Sequence, residues 1–563
     1  MASGMIRHRH ITIISASETG NSREVAEELA QALHPVCPDV RLVDAFDYAF
    51  EDFTREDVLL MVTSTQGEGE PPMEAEDLYE FVMSETMPRL EGVSFAVLGL
   101  GDSSYGVNYN LMVRQFDARY ADLGARRLMG HGECDLDYEA TARRWIATVV
   151  TVLRDEPGFD ISSHGGNGAR PECDDRRTPT PSGATGTGVS NATVTERERL
   201  TSASSSKQVF RIRLAMSKDV GEWQPGDLVA VGYVNDVAML DRLLRVACGM
   251  SVADADPRVV EVLRHRDVSA LTPSLIARYA AVAHNADLDA LLDDETALNA
   301  YAHVHPTFAL FKDFPSGISL SELPDIFSGK ARRLYSAASA MRGRAGTGNP
   351  MVDLTVTEVA YDYDGARVVG ACSGYLTAAR LGTTVMAGIV PNPRFHMPAD
   401  DHVDIVMVGL GSAIAPYRAF LQRRAEIRRA SRSRSADASQ HVAGVTIGRT
   451  WLILGNRNPR EDYLYHDELE RYHDDASGRR LDIAWSRFGS KPRHVQDLIA
   501  DRGARLWEWI DAGANVYLCG HDGAALASIR DSLVRVVAAH GELGRSAALD
   551  YVNAMERSGR LHR

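Results

Sequence analysis

ITIISASETGNS (residues 11–22) joins an apolar run to a loop of small hydroxylic residues, and the loop leads into a segment with apolar side chains at Val25, Leu29 and Leu33. Four-residue spacing places those three on one helix face. Such a loop has two readings. The first helical turn leaves its amide N–H groups unpaired and carries the positive end of the dipole, so an anion fits there; alternatively Thr19 or Asn21 merely caps the helix. The rest of the chain decides. VLLMVT (58–63) runs into STQGEGEPP (64–72), and FAVLGL (95–100) runs into a third loop ending at Gly106, each followed by helical spacing. The recurrence predicts a doubly wound parallel sheet with all three loops converging beyond the carboxyl ends of the strands, where ligands lie in such folds.

The chain has 563 residues, 44% hydrophobic and 25% charged, which is the composition of a globular protein of three or four domains. No apolar run approaches the roughly 20 residues that span a bilayer, and MASGMIRHRH has neither the apolar centre nor the cleavage site of a signal peptide. The expectation is a cytoplasmic protein with no membrane segment. Cys37, Cys134, Cys173, Cys248, Cys372 and Cys519 form no C-x-x-C pair, which argues against a disulfide framework and against a thiolate metal site. Net charge is −16, and residues 1–155 hold 27 acids against 13 bases, so the first domain carries almost all of the excess. A field of one sign steers a basic partner into contact and disfavours nucleic acid.

A helix over 138–153 closes a first domain of residues 1–155. Residues 156–190 lose periodicity and fill with Gly, Ser, Thr and Pro, which reads as a flexible linker whose ends lie some 30 Å apart. A second domain, 191–400, opens with the alternation QVFRIRL (208–214) and the turn QPGD (224–227). Helical character then fills about 239–327, and strands return at Leu334 and at 352–359. GRAGTGNP, from Gly343, has no strand ahead and helix behind, so it reads as a hairpin connection. From Val403 the αβ alternation resumes, giving a third domain over 401–563.

The first three loops offer complementary groups. Ser15, Ser17, Thr19, Gly20 and Asn21 supply hydroxyl and amide donors; Ser64, Thr65, Gln66 and Gly67 form a wall; Leu100, Gly101, Asp102 and Tyr105 add an aromatic. Flavin mononucleotide needs such a set, because its phosphate suits uncharged donors at a helix start and its flat ring suits an aromatic partner. SASETGNSREVAEEL, TSTQGEGEPP and FAVLGLGDSSY resemble the FMN-binding, flavodoxin-like domain of the diflavin reductases, most nearly their NADPH-dependent sulfite reductase branch. Two departures stand out. Gln66 occupies a position where that family often has an aromatic, and the run VNYN from Val107 replaces another.

The resemblance implies an α/β multidomain chain: the flavodoxin-like domain, an FAD-binding β-barrel with a helical connecting insert, and a Rossmann-like NADP-binding domain. In RLYSAAS (333–339) it implies that Arg333 pairs with the FAD pyrophosphate, that Tyr335, next to Leu334, stacks on the ring, and that Ser336 reaches the N5 edge. In GACSGYL (370–376), Gly370, Ala371, Cys372 and Ser373 would form a partner loop for the diphosphate. VDIVMVGLGSAIAPYRAFLQRR, from Val403, is a buried strand, a glycine turn and a helix that present amide donors to a pyrophosphate. It resembles the family's NADP turn at Gly409, Gly411 and Ser412, with Leu410 and Ala413 where Pro and Gly are usual. Arg457, Ser486, Arg487 and Gln496 follow in the family's order. An arginine fork suits the ribose 2′-phosphate, so Ser486 and Arg487 carry the expected NADPH preference. Lys491 and Arg493 would substitute for a Lys-x-Tyr pair that falls on Pro492 and His494. Cys519 would lie beside the nicotinamide and, with Ser336, align the hydride donor. The family's acidic and aromatic tail would follow GRLHR (559–563): either the sequence is cut short there, or the protein lacks that lid, in which case a less shielded flavin and weaker rejection of NADH are expected.

The implied chemistry is hydride transfer from NADPH to FAD, then single-electron transfer to FMN, which a swinging acidic domain carries to an acceptor. The acceptor implied is a siroheme and iron–sulfur hemoprotein subunit that reduces sulfite to sulfide. Two alternatives stay open: another haem or iron–sulfur acceptor, and a flavin electron carrier with little turnover of its own.

Overall fold

A computed structural model describes residues 10–17, 21–37, 39–65, 69, 71–72, 75–101, 108–135, 138–155, 189–330, 332–341, 349–435, 447–474, 478–489, 491–520 and 523–563. Most of the expected linker (156–188) and residues 343–348 of GRAGTGNP lie outside these. The chain divides into two units, one of Met1–Pro181 with Val237–Ala331, the other of Ser182–Asp236 with Arg332–Arg563.

The first unit begins with β1 (Ile11–Ala16), α1 (Asn21–Leu33), β2 (Val40–Asp44), β3 (Val58–Ser64), α2 (Glu76–Met83), β4 (Ser94–Leu100), α3 (Leu111–Asp122), β5 (Arg126–Arg127), β6 (Gly132–Cys134) and α4 (Tyr138–Asp155). The strands form a parallel sheet in the order β2-β1-β3-β4-β5, with β6 also on β4. Every residue of β1 is buried. Alternation explains why: Ile11 and Ile13 pack with Val25, Leu29 and Trp145, whereas Ile14 and Ala16 pack with Leu78, Val113 and Phe116 on the other face. Burying each such aliphatic side chain stabilises the layer by about 1.5–3 kcal/mol. Register aligns Ser15 with Val62 and Ser64 with Leu100, so β1, β3 and β4 end together.

The same unit holds six helices, α5 (Val237–Cys248), α6 (Pro257–Arg264), α7 (Pro273–Ala283), α8 (Ala286–Leu292), α9 (Glu295–Val304) and α10 (Thr307–Asp313). They surround Leu240, Leu244, Leu263, Ile276, Tyr279, Leu310 and Phe311. Their starts are set locally. Asp256 accepts the Arg258 amide (2.8 Å) and Thr272 the Leu275 amide (3.1 Å), each with proline at the first helical position.

The second unit contains β7 (Ser190–Arg199), β8 (Val209–Ala215), β9 (Leu228–Gly232), β10 (Arg333–Ser336), β11 (Met351–Thr357), a hairpin of β12 (Ala360–Tyr363) and β13 (Ala366–Val369), α11 (Ala371–Ala378) and β14 (Thr384–Val390). Six of these strands pair antiparallel in the order β10-β9-β14-β7-β8-β11. The terminal strands approach each other where the Ala338 amide donates to the Asp353 carbonyl (2.8 Å), which curls the sheet into a barrel.

Then come β15 (Ile405–Leu410), α12 (Ile414–Ser435), β16 (Thr450–Asn456), α13 (His466–Tyr472), β17 (Arg479–Trp485), α14 (Val495–Asp501), α15 (Gly503–Asp511), β18 (Asn515–Cys519), α16 (Gly523–His540), α17 (Arg545–Arg557) and β19 (Leu561–His562). The order β17-β16-β15-β18-β19, all parallel, places β15 between two strands that follow it in sequence. The chain therefore reverses direction across the sheet at β15, and a crevice opens at its carboxyl end. Val406, Val408, Trp451 and Leu518 pack under α14–α17, while Met407, Leu452 and Tyr517 pack with Phe420 on the opposite face. Among the described residues no helix is long and apolar enough to cross a membrane.

Candidate functional site

The opening loop answers its own question in part. Ser15 and Ser17 are buried at the end of β1, and the Ser17 hydroxyl accepts the Ser22 amide (3.1 Å), so Ser17 secures the start of α1. At the end of β3 the Thr65 amide donates to the Leu100 carbonyl (3.0 Å), and the Thr65 hydroxyl accepts the Met112 amide (3.2 Å). The Gly101 amide donates to the Cys134 carbonyl (2.9 Å). Asn110, held at φ 49°, donates to that same carbonyl (3.0 Å). It crowds Gly101, where a Cβ would come within 3.1 Å of its amide nitrogen and its Oδ1, so any larger residue there would push Asn110 by a few tenths of an ångström. Ser22 and Ser64 carry buried hydroxyls without a hydrogen-bond partner. Unsatisfied buried hydroxyls cost free energy, so one orphaned donor in the first turn of α1 and another at the end of β3 fit a phosphate and polyol site built from uncharged groups. Thr19, Gly20, Gln66, Gly67, Asp102 and Tyr105 lie outside the described residues.

In the second unit, Arg333, Leu334, Tyr335 and Ser336 form β10, in register with Val231, Ala230, Val229 and Leu228 of β9. Alternation puts Arg333 and Tyr335 on one face and Leu334 and Ser336 on the other. The Tyr335 hydroxyl donates to Cys372 Sγ (3.5 Å), which brings the two expected FAD segments into contact. Burial, with the Cys372 sulfur beside it, pushes the Tyr335 phenol well above its usual range, so it stays neutral. The GACSGYL segment is not a loop. It is the start of α11, with Gly370 at the N-cap and Ala371, Cys372 and Ser373 in the first turn. Helix starts present free amides to a diphosphate. The Ser373 hydroxyl is already engaged, accepting the Val359 amide (3.1 Å) and donating to the Gly370 carbonyl (3.3 Å).

Gly409, next to last in β15, pairs with Cys519 of β18. A single tight turn over Gly411–Ala413 then leads into α12. Gly411 has φ 58°, a left-handed conformation that explains glycine there. Beyond this turn lies a cavity of about 240 Å³, and its walls include Gly411, Ser412, Arg457, Ser486, Arg493 and Gln496. Those six come from four separate stretches of sequence. Arg487 is exposed beside the cavity, and its amide donates to the Arg457 carbonyl (2.8 Å). Lys491 is exposed and is not among the lining residues.

Two arginines expected at the NADP site already have protein partners. Arg457 is ion-paired with Asp462 (3.1 Å) and also donates to Ser205 and Ser206, and Arg493 is paired with Asp501, so neither guanidinium offers an unshared charge. Sequence reading missed Lys207, which lines the same cavity from the barrel together with Thr201. Burial lowers the Lys207 ammonium below its usual range, and Arg457 and Arg487 lower it further against the pull of Asp462. Lys207 and Arg487 thus stand as the cations nearest the cavity that have no ion-paired carboxylate among the described residues, and a second cation nearby favours an anion. No short motif marks Lys207; only the fold brings it here.

Burial pushes the Cys519 thiol up to about 12, so it stays protonated at neutral pH. The five described cysteines are all free thiols. Among the described residues no group of three or more His, Cys, Asp or Glu side chains forms a metal site.

A family model described as flavodoxin matches residues 13–145, and one described as an oxidoreductase NAD-binding domain matches residues 407–528. The chain is 34% identical to the "Sulfite reductase [NADPH] flavoprotein alpha-component" of Yersinia enterocolitica serotype O:8 / biotype 1B, over 98% of this chain and 89% of that protein. The proteins of the same name from Yersinia pestis and Sodalis glossinidius (strain morsitans) match at the same identity and coverage.

Proposed function

The chain belongs to the family of NADPH-dependent sulfite reductase flavoprotein components, and from that premise we propose that it delivers electrons from NADPH to a siroheme and iron–sulfur hemoprotein that reduces sulfite to sulfide. It is an NADPH-dependent oxidoreductase of the kind that uses FMN, FAD and NADPH. When bound, these groups supply hydride transfer from nicotinamide to FAD and single-electron passage through FMN.

The residues have separable tasks. The Ser15, Ser17, Ser64 and Thr65 end of the first sheet, with its orphaned Ser64 hydroxyl, holds the FMN phosphate and ribityl chain without opposing charge. Tyr335, kept neutral, covers the FAD ring; Arg333 and the start of α11 hold its diphosphate; Ser336 faces the reacting edge. The turn at Gly411 and Ser412 takes the dinucleotide pyrophosphate. Ser486, Arg487 and Lys207 select the 2′-phosphate. Cys519, protonated at neutral pH, packs beside the nicotinamide. The acidic first domain, with net charge −14 over residues 1–155, steers a basic face of the hemoprotein. We place the protein in the cytoplasm, where NADPH and free thiols are both maintained.

One observation supports this reading most: a single chain carries a parallel sheet ending in unsatisfied hydroxyls and a second parallel sheet ending in a left-handed glycine above a cationic cavity. The test is reconstitution. The purified flavoprotein with NADPH should reduce cytochrome c unaided, and should form sulfide from sulfite only after the hemoprotein is added. Cytochrome c reduction without any hemoprotein-dependent sulfide would assign it to another acceptor.

A further inference from the structure

Helix α12 lays two buried polar side chains, one turn apart, onto the backbone that follows β10. Arg418 donates to the Ala338 carbonyl (2.6 Å), and the Gln422 side-chain carbonyl accepts the Ala340 amide (3.2 Å). Residues four apart share a helix face, and these are 3% and 6% exposed. The strand they hold carries Ser336, two and four residues upstream. Their own helix starts directly after the Gly411–Ala413 turn.

Arg418 is itself fully committed. It bonds Asp353 (2.8 Å) and both carboxylate oxygens of Glu468 (2.7 and 2.8 Å), and its guanidinium lies 4.6 Å from the Tyr465 ring centre. Asp353 is gripped from its other side by Arg213 (2.6 and 3.1 Å), and its amide donates to the Ser339 hydroxyl (3.0 Å). Apolar side chains of similar volume would often hold such an interface as stably as a buried ion pair does. What a saturated planar fork adds is a fixed distance and angle.

We propose that Arg418 and Gln422 are positioning residues for hydride transfer, fixing the strand that carries Ser336 against the helix that directly follows the glycine turn assigned to the dinucleotide. The inference rests on the FAD and NADPH sites assigned above. Reacting atoms must be held to a fraction of an ångström, and a shift of about 1 Å costs on the order of 100-fold in rate.

Gln422→Met tests this in the holoprotein, because it keeps volume and helix preference but removes the acceptor. Arg418→Lys keeps the charge and removes the fork. Anaerobic stopped-flow measures flavin reduction per bound FAD with NADPH and with NADPH deuterated at nicotinamide C4, and calorimetry measures 2′,5′-ADP binding. The expected result is reduction about 10- to 100-fold slower in each variant, a larger isotope effect, and 2′,5′-ADP affinity within about twofold of the unchanged protein. Rates and isotope effects within twofold of unchanged would overturn the proposal, as would a slowing matched by an equal loss of 2′,5′-ADP affinity. Should Arg418→Lys fail to fold, Gln422→Met decides alone, since it removes one neutral hydrogen bond. If the unchanged protein binds neither FAD nor 2′,5′-ADP, the site assignment fails instead.

Discussion

Replacing Asp353 by asparagine isolates the charge at the centre of the second unit. The carboxylate is 1% exposed and lies between Arg213 and Arg418. Burial alone would raise its pKa, but the hydrogen bonds and charges of those two arginines outweigh it and hold it below the ordinary aspartate range. Asparagine keeps the shape and leaves the buried Arg418 and half-buried Arg213 guanidiniums sharing a neutral amide, with Glu468 and Glu196 as their remaining carboxylate partners. Breaking a buried pair in this way costs about 3–5 kcal/mol. The unit spans about 290 residues, and at roughly 2.1 cal/mol/K per residue its unfolding entropy is about 0.6 kcal/mol/K. The thermal midpoint should fall by about 5–8 °C.

The sign of the pH dependence follows from the depressed pKa. The carboxylate contributes its full stability above the unfolded value of about 3.9 and loses it as pH falls through the lower folded value. Denaturant unfolding at pH 7 should therefore show the full deficit in Asp353→Asn. The deficit should narrow below about pH 4, where the unchanged protein begins to lose the same charge. A loss under about 1 kcal/mol at pH 7, the size of a surface ion pair, would refute the claim that this network is buried and coupled.

Ser17→Ala removes the acceptor of the Ser22 amide, so the first domain should lose about 1 kcal/mol in urea denaturation and release FMN more readily while FAD occupancy stays unchanged. Arg487→Ala should lower the ratio of kcat/KM for NADPH over NADH at least about tenfold, on the basis of a lost charge-assisted phosphate contact of ~1.5–3 kcal/mol; an unchanged ratio would remove Arg487 from the specificity site. Cys519, with its thiol pushed up to about 12, should resist iodoacetamide at pH 8.5 in peptide mapping of the native protein, where an ordinary thiol is about half ionised.

Local chemistry was legible wherever it was contiguous. The strand, loop and helix at 11–33 could be read because a buried parallel strand needs unbroken aliphatics and the helix needs its 3.6-residue stripe. Asp256-Pro257 and Thr272-Pro273 announce helix starts for the same local reason. The start of α11 was hidden because ACSGYLTA is small and mostly buried, with almost no amphipathic contrast to betray a helix. Long-range chemistry was not legible. Lys207, with its neighbours Thr201 and Val209, enters a cavity whose remaining walls lie 150 or more residues later. Nothing in the spacing of Arg213, Asp353, Arg418 and Glu468 says that they meet. Arginines 457 and 493 looked available because a motif names a cation but not the aspartate that neutralises it.

Electron delivery by this route requires two chemically different flavins held by one chain and both fed from NADPH. Cofactors released from the purified protein, separated and quantified, and matched to an anaerobic NADPH titration of the flavin absorbance, test this directly. Equal amounts of FMN and FAD, both bleached by NADPH, are the result predicted. A single kind of flavin, or two flavins that NADPH leaves oxidised, would contradict it.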